Sequence, residues 1–184
     1  FLQQLENQTN EVIHLVVFDQ SEVVYIEKLE GNEVLRMHSK VGKRAPMHCT
    51  SVGKAILAHL PLDVVSNIID RKGLPVHTDH TIINKDDLFK ELENIRDRGY
   101  ALDLQENEYG ITCIAVPIFD YTGQVVSAIS ISGPTMRMTE ERLEQLTDSE
   151  TGDFISETVY GYKEFTELYE RYGIAGYVLY IDGF

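Results

Sequence analysis

Tryptophan is absent from this sequence, cysteine occurs twice, proline five times, and 16 basic side chains face 30 acidic ones. Each shortage excludes something. Two cysteines, Cys49 and Cys113, cannot build a disulfide framework, and with no secretory leader the expected setting is a reducing cytoplasm, where the sequon-like "NQT" at 7–9 carries no meaning. A formal net charge of −14 repels nucleic-acid phosphates over most of the surface, so this chain alone is not expected to bind DNA. The longest apolar stretches, such as "ITCIAVPIF" at 111–119, fall short of the roughly 20 residues a membrane helix needs, and no membrane partner is expected.

What remains is ordinary globular composition: 184 residues, 43% apolar and 25% charged, enough for one well-buried domain. "FLQQLENQTN" lacks an initiator methionine and begins inside a helical pattern, with Phe1, Leu2 and Leu5 on one side, so a cut fragment is expected. "VIHLVVFDQSEVVYIEKLEG" at 12–31 reads as strand, turn at Asp19-Gln20-Ser21, strand. The outline returns at 114–134, where Phe119-Asp120 precedes a turn at Gly123 and Val125-Val126 restart the pairing. Two equivalent hairpins in one antiparallel sheet follow. Between them, residues 84–98 place Leu88, Leu92 and Ile95 on one helical face, with Asn84 as N-cap and Gly99 as stop. "VGKAILAHL" and "PLDVVSNIIDRKG" read as two further helices separated at Pro61, and Thr139 caps another that carries Glu140 and Glu141 in its first turn. The order of elements predicts an α+β domain, an antiparallel sheet flanked by helices. From 147 onward the pattern changes: six of the ten tyrosines lie there, Phe165, Leu168, Tyr169 and Tyr172 suit a helix over roughly 157–172, and "GYVLYI" suits a strand.

"HCTSVGKAIL" at 48–57 invites comparison with a phosphate-binding loop, G-x-x-x-x-G-K-[ST]. With Gly53 and Lys54 as its G-K, that loop needs glycine at 48 and a hydroxyl at 55, where this chain has His48 and Ala55. Nucleotide hydrolysis is therefore not expected. Backbone amides at the start of the following helix still suit a small anion, because they lack intrahelical partners and carry partial positive charge.

"VGKRAPMHCTSVGKAILAHLP", "LPVHTDHTI" and "IRDRGYALDLQENEYGITCIAVPIFDYTGQVVSAISISGPTMRMTEERL" resemble, in order and spacing, the effector-binding domain of the IclR family of bacterial transcriptional regulators. The resemblance runs from the first hairpin to Leu146. It implies a GAF-like (profilin-like) domain at 10–146 that senses a small metabolite, a linker-helix end at 1–9, and an atypical segment at 147–184 in place of a final amphipathic helix. It also implies a winged helix-turn-helix domain outside this fragment, through which alone DNA is bound, assembly as a homodimer or homotetramer, and no cofactor. Members whose ligand site is known hold a small carboxylate or keto acid, and "VVYIEKLE" and "LRMHSKVGKRAPMHCT" look closest to members tied to sugar-acid catabolism, so the resemblance implies a small carboxylate, keto acid or sugar-derived acid as effector. By motif position, the amides of Ser51 and Val52 would meet the carboxylate, Asp103, Cys113, Ser130 and Ser132 would line the polar part, and Val34, Met37, Ala45 and Ile111 would form the apolar wall. Ser51-Val52 stands where some members carry Gly-Ala.

Physical chemistry allows that carry-over. Ser130 and Ser132, two apart on a predicted strand, present their hydroxyls on one face. Asp103 would accept from a ligand hydroxyl, and would repel an acid unless protonated or set beyond its carboxylate end. Plainer readings stand beside it: Thr50 and Ser51 as caps, Ser130 and Ser132 as solvent-facing strand residues, Cys113 as a small buried hydrophobe. Asp103, Glu106 and Glu108 read as a wet acidic loop, and Lys40, Lys43 and Arg44 as a solvated basic one that can steer an anion. His48, Cys49, Cys113 and Asp103 lack the spacing of a zinc site, and no metal is expected. The alternative function is a small cysteine-dependent enzyme on an organic acid, Cys113 acting with His48 or His14 as base, although no paired motif supports it.

Overall fold

Alternation along the strands decides which side of the sheet carries the polar residues, and the computed structural model shows how. It describes residues 2–31, 37–120 and 122–147, so Val34 and the expectations for 148–184 lie outside the described residues. The elements are α1 (Leu2–Thr9), β1 (Val12–Asp19), β2 (Glu22–Leu29), β3 (Arg44–Ala45), α2 (Ser51–Leu57), α3 (Leu62–Lys72), α4 (Lys85–Arg98), β4 (Ala101–Leu104), β5 (Ile111–Phe119), β6 (Val125–Pro134) and α5 (Glu140–Thr147). Six strands form one antiparallel sheet in the order β3-β2-β1-β6-β5-β4. Both hairpins are present, joined along β1 and β6, and the α+β, GAF-like arrangement is as the sequence predicts.

Side chains divide by parity. Ile13 and Leu15 of β1, Ile114, Val116 and Ile118 of β5, and Ile129 and Ile131 of β6 share a core with Leu2 and Leu5 of α1 and Leu146 of α5. The opposite face carries Val16, Ala101, Ala115 and Ala128, packed with α2, α3 and α4. Three alanines there let α2 lie close to the sheet, and all seven residues of α2 are buried. Leu88, Leu92 and Ile95 are the buried face of α4; Asn84 caps it by accepting from the amides of Asp86 (2.8 Å) and Asp87 (3.4 Å), and Gly99 ends it at φ 84°. Pro61 sits one place earlier than the first helical position, as the N-cap of α3.

Two short strands escape the sequence reading. β3 has two residues, too few for a pattern, and β4 supplies Asp103, which the acidic run 103–108 disguises as loop. The β1–β2 turn holds both Gln20 (φ 49°) and Ser21 (φ 71°) in left-handed backbone that favours asparagine and glycine. Left-handed conformation costs about 1–2 kcal/mol at an ordinary residue. Gln20→Asn with Ser21→Gly is accordingly expected to raise stability by about 1 kcal/mol in chemical denaturation. A midpoint no higher than that of the parent would show that the turn holds no such strain.

Candidate functional site

Strand pairing brings the polar residues of the inner face together in rows. Ser132 pairs with Cys113, and Cys113 with Asp103; in the next row His14 pairs with Ser130. Above them stands the start of α2. The Thr50 hydroxyl accepts from the Gly53 amide (3.1 Å) and donates to Pro46 O (2.7 Å), while Lys54 N closes the first helical bond on Thr50 O (2.9 Å). Helix geometry gives the Ser51 and Val52 amides no partner of that kind. Between sheet and helix start lies a cavity of about 420 Å³, lined by Ser51, Val52, Asp103, Cys113, Ser130 and Ser132, and by Met37, Ala45 and Ile111. Every described residue of the sequence-predicted set thus reaches one hollow.

The G-K pair has a structural meaning here. A Cβ on Gly53 would come within 2.5 Å of Met47 O and 2.6 Å of Thr50 Oγ1, so only glycine lets the 46–50 segment fold against α2. Lys54 turns inward, 1% exposed, to pair with Glu106, with Glu91 of α4 at 4.0 Å. The second oxygen of Glu106 is buried without a protein partner, so Lys54 carries its compensation. Burial pushes the Glu106 carboxyl up from the ordinary range, and the Lys54 ammonium opposes that.

The acidic run is therefore not a wet loop: Asp103 and Glu106 are buried and Glu108 is half-buried on the cavity wall. The Lys54 charge, distant in sequence, makes that burial tolerable. Asp103 Oδ1 accepts from the amides of Glu106 (2.7 Å) and Asn107 (3.3 Å), which leaves Oδ2 for a ligand. Burial, reinforced by the Glu106 charge, pushes the Asp103 carboxyl up to about 7, against the two amides and Lys54. Ser130 and Ser132 are each 2% exposed, so they do not face solvent.

His14 is the residue that sequence reasoning placed only as a possible base. Its Nδ1 lies 3.3 Å from both Ser130 Oγ and Ser132 Oγ, its Nε2 lies 2.8 Å from Ser39 Oγ, and its ring centroid is 4.9 Å from that of Tyr25. Burial, then the Lys28 charge, lowers its pKa to about 3, so the imidazole is neutral and orders the hydroxyls as donors or acceptors. Lys28 also holds the rim, donating to Met37 O (3.3 Å) and Ser39 O (3.0 Å). Lys43 and Arg44 are exposed on the cavity lining, with Arg44 paired to Asp19. One sequence signal for His14 exists: it is the polar residue that interrupts the apolar run 12–18 of β1.

Nucleophilic chemistry finds no support in this arrangement. Burial, then the Asp103 charge, pushes the Cys113 thiol up, away from thiolate. Neither candidate base serves it: His14 is held by serines, and His48 Nε2 donates to Pro75 O (3.0 Å) outside the cavity lining. His48 and Cys49 likewise do not join Cys113 and Asp103; they lie beside His77.

The family described as bacterial transcriptional regulator IclR, C-terminal, matches residues 1–151. The chain is 40% identical over 144 residues to the HTH-type transcriptional regulator KdgR of Escherichia coli K12, covering 78% of this chain and 55% of that protein. It spans about half the length of the curated relatives it matches. Among solved structures, the Thermotoga maritima IclR superposes with TM-score 0.77 at 39% identity, over 86% of this chain and 65% of that one. An IclR homologue from Microbacterium hydrocarbonoxydans, complexed with 4-hydroxybenzoate, superposes with TM-score 0.71 at 29% identity, over 78% and 59%.

Lys54→Met leaves Glu106 buried without its partner and is expected to cost about 3 kcal/mol of stability. Because the Glu106 pKa then rises further, the loss should be largest above neutrality and shrink in mild acid, where the carboxyl takes up a proton. Thermal unfolding at the two pH values checks this, and an equal loss at both would remove the pair from that role.

Proposed function

The chain belongs to the IclR family of bacterial transcriptional regulators, and from that premise we propose that its cavity binds a small organic acid bearing a hydroxyl or keto group. The observation that carries the reading is the convergence of uncharged hydrogen-bonding groups, the buried Ser130, Ser132 and His14 and the half-buried Cys113, on one hollow opposite Asp103 and the α2 start. In a desolvated site such groups reward a polar ligand and penalise its absence of partners. The Ser51 and Val52 amides face the acid's carboxylate, the serine hydroxyls take its second polar group, and Met37, Ala45 and Ile111 bury its carbon skeleton. Lys43 and Arg44 offset the acidic surface at the entrance and raise the local concentration of anions.

The same reading assigns the chain a sensing role without catalysis. β1 has His14 in the cavity and Ile13 and Leu15 in the core shared with Leu2 and Leu5 of α1. A ligand that prefers one placement of β1 therefore biases α1, the end of a helix leading to a winged helix-turn-helix domain. The effector domain spans 10–146, acts in the cytoplasm within a homodimer or homotetramer, and controls DNA binding through that other domain. No helix of the described residues is long and apolar enough to cross a membrane.

Calorimetry with pyruvate, glyoxylate, sugar-derived keto acids and 4-hydroxybenzoate is expected to show saturable binding of at least one acid and no turnover. Ser130→Ala combined with Ser132→Ala should weaken it about tenfold or more, as the loss of one or two net hydrogen bonds requires. Unchanged affinity in a folded double variant would remove the serines from the site.

Asp103 gives a pH dependence of definite sign. An acid docks against its protonated form, so binding takes up a proton, and affinity should fall as pH rises through about 7. Asp103→Asn should flatten that profile; a slope that persists in the variant must come from another group.

A further inference from the structure

We propose that His48, Cys49 and His77 form a binding site for a borderline-soft divalent cation, Zn²⁺ above all, at the edge of the cavity. One donor atom from each of the three side chains lies within 4.8 Å of the other two, a spread that small side-chain rotations bring to the ligand spacing of a zinc ion. Two imidazoles and a thiol are the donor set that favours zinc over magnesium or calcium, whose sites are built from oxygen.

The supporting contacts are those a metal site needs. Pro75 O can only accept, so its 3.0 Å contact fixes the proton of His48 on Nε2 and leaves the Nδ1 lone pair unprotonated. His48 and Cys49 come from the short segment that Gly53 and the Thr50 cap hold against α2. Cys49 is fully buried, and its Sγ donates weakly to Asn107 Oδ1 at 3.7 Å.

His77 arrives from a turn that is pinned at the other side. Thr81 Oγ1 accepts from the amides of His77 (3.0 Å) and Thr78 (2.9 Å) and donates to Glu106 O (2.6 Å), while Thr78 Oγ1 donates to Gln105 O (2.6 Å). Its backbone is thereby fixed while its exposed ring, 5.9 Å from that of His48, can swing to admit the ion. On binding, the Cys49 S–H bond breaks, the proton passes to solvent, and the thiolate and two neutral imidazoles ligate the cation. Three protein ligands leave a fourth, tetrahedral position for water. His77 also lines the cavity, which places the ion at its border.

The test uses the untagged chain, stripped with a chelator, titrated with Zn²⁺ by calorimetry and with Co²⁺ by absorbance. One equivalent should bind, with a thiolate-to-cobalt charge-transfer band and the intense visible bands of tetrahedral cobalt. His77→Ala, at an exposed position, should weaken Zn²⁺ binding by at least about tenfold. Cys49→Ser should remove the charge-transfer band. Zn²⁺ affinity untouched by His77→Ala, or a cobalt complex without the thiolate band, overturns the site even where Cys49→Ser does not fold. Acid binding by the stripped chain is read separately and bears on the effector proposal alone.

Discussion

A buried ammonium in contact with a buried carboxylate is the constraint on which this molecule turns. Lys54 reaches from α2 to Glu106, and through that contact the helix, the β4–β5 connection and, via Glu91, α4 are held to one another. Two charges withdrawn from water are tolerable only with each other. The Glu106 amide in turn holds Asp103, and the Glu106 carbonyl holds Thr81. The cavity wall, the shifted carboxyl of Asp103 and the turn bearing His77 are thus tied to a single ion pair.

The sheet contributes by the arithmetic of alternation. One face of β1, β5 and β6 is almost wholly branched aliphatic, suited to α1 and α5. On the other, alanines give α2 room near the middle of the sheet, and serine, cysteine, histidine and aspartate occupy the end that, among the described residues, only the start of α2 reaches. A hollow lined with polar groups is what remains when the covering helix begins partway along the strands. The helix start then faces the strand hydroxyls because Gly53 permits the close turn before it.

What could be read from residues alone follows from the range of the interactions. The two hairpins and α4 are written locally, in turn residues, caps and periodicity, and they are legible to within about three residues. Ser130 and Ser132 were placed on one face by strand parity, and the remaining site positions by resemblance to the IclR family. Lys54 with Glu106 was not legible, since 52 residues separate partners that each look like surface charges. The same blindness turned Asp103 into a loop residue and hid the meeting of His48 and Cys49 with His77.

Pairing of β1 with β6 has one further consequence. His14 and Ser130, 116 residues apart, touch only where two segments distant in sequence pair at the centre of the sheet. Long-range contacts of this kind belong to slowly folding topologies, where they form against a large entropy of loop closure. The polar hollow therefore requires the β1–β6 pairing to be in place. A compound that occupies it recognises finished molecules only, and by mass action it shifts the balance between finished and unfinished chains as well as between one finished shape and another.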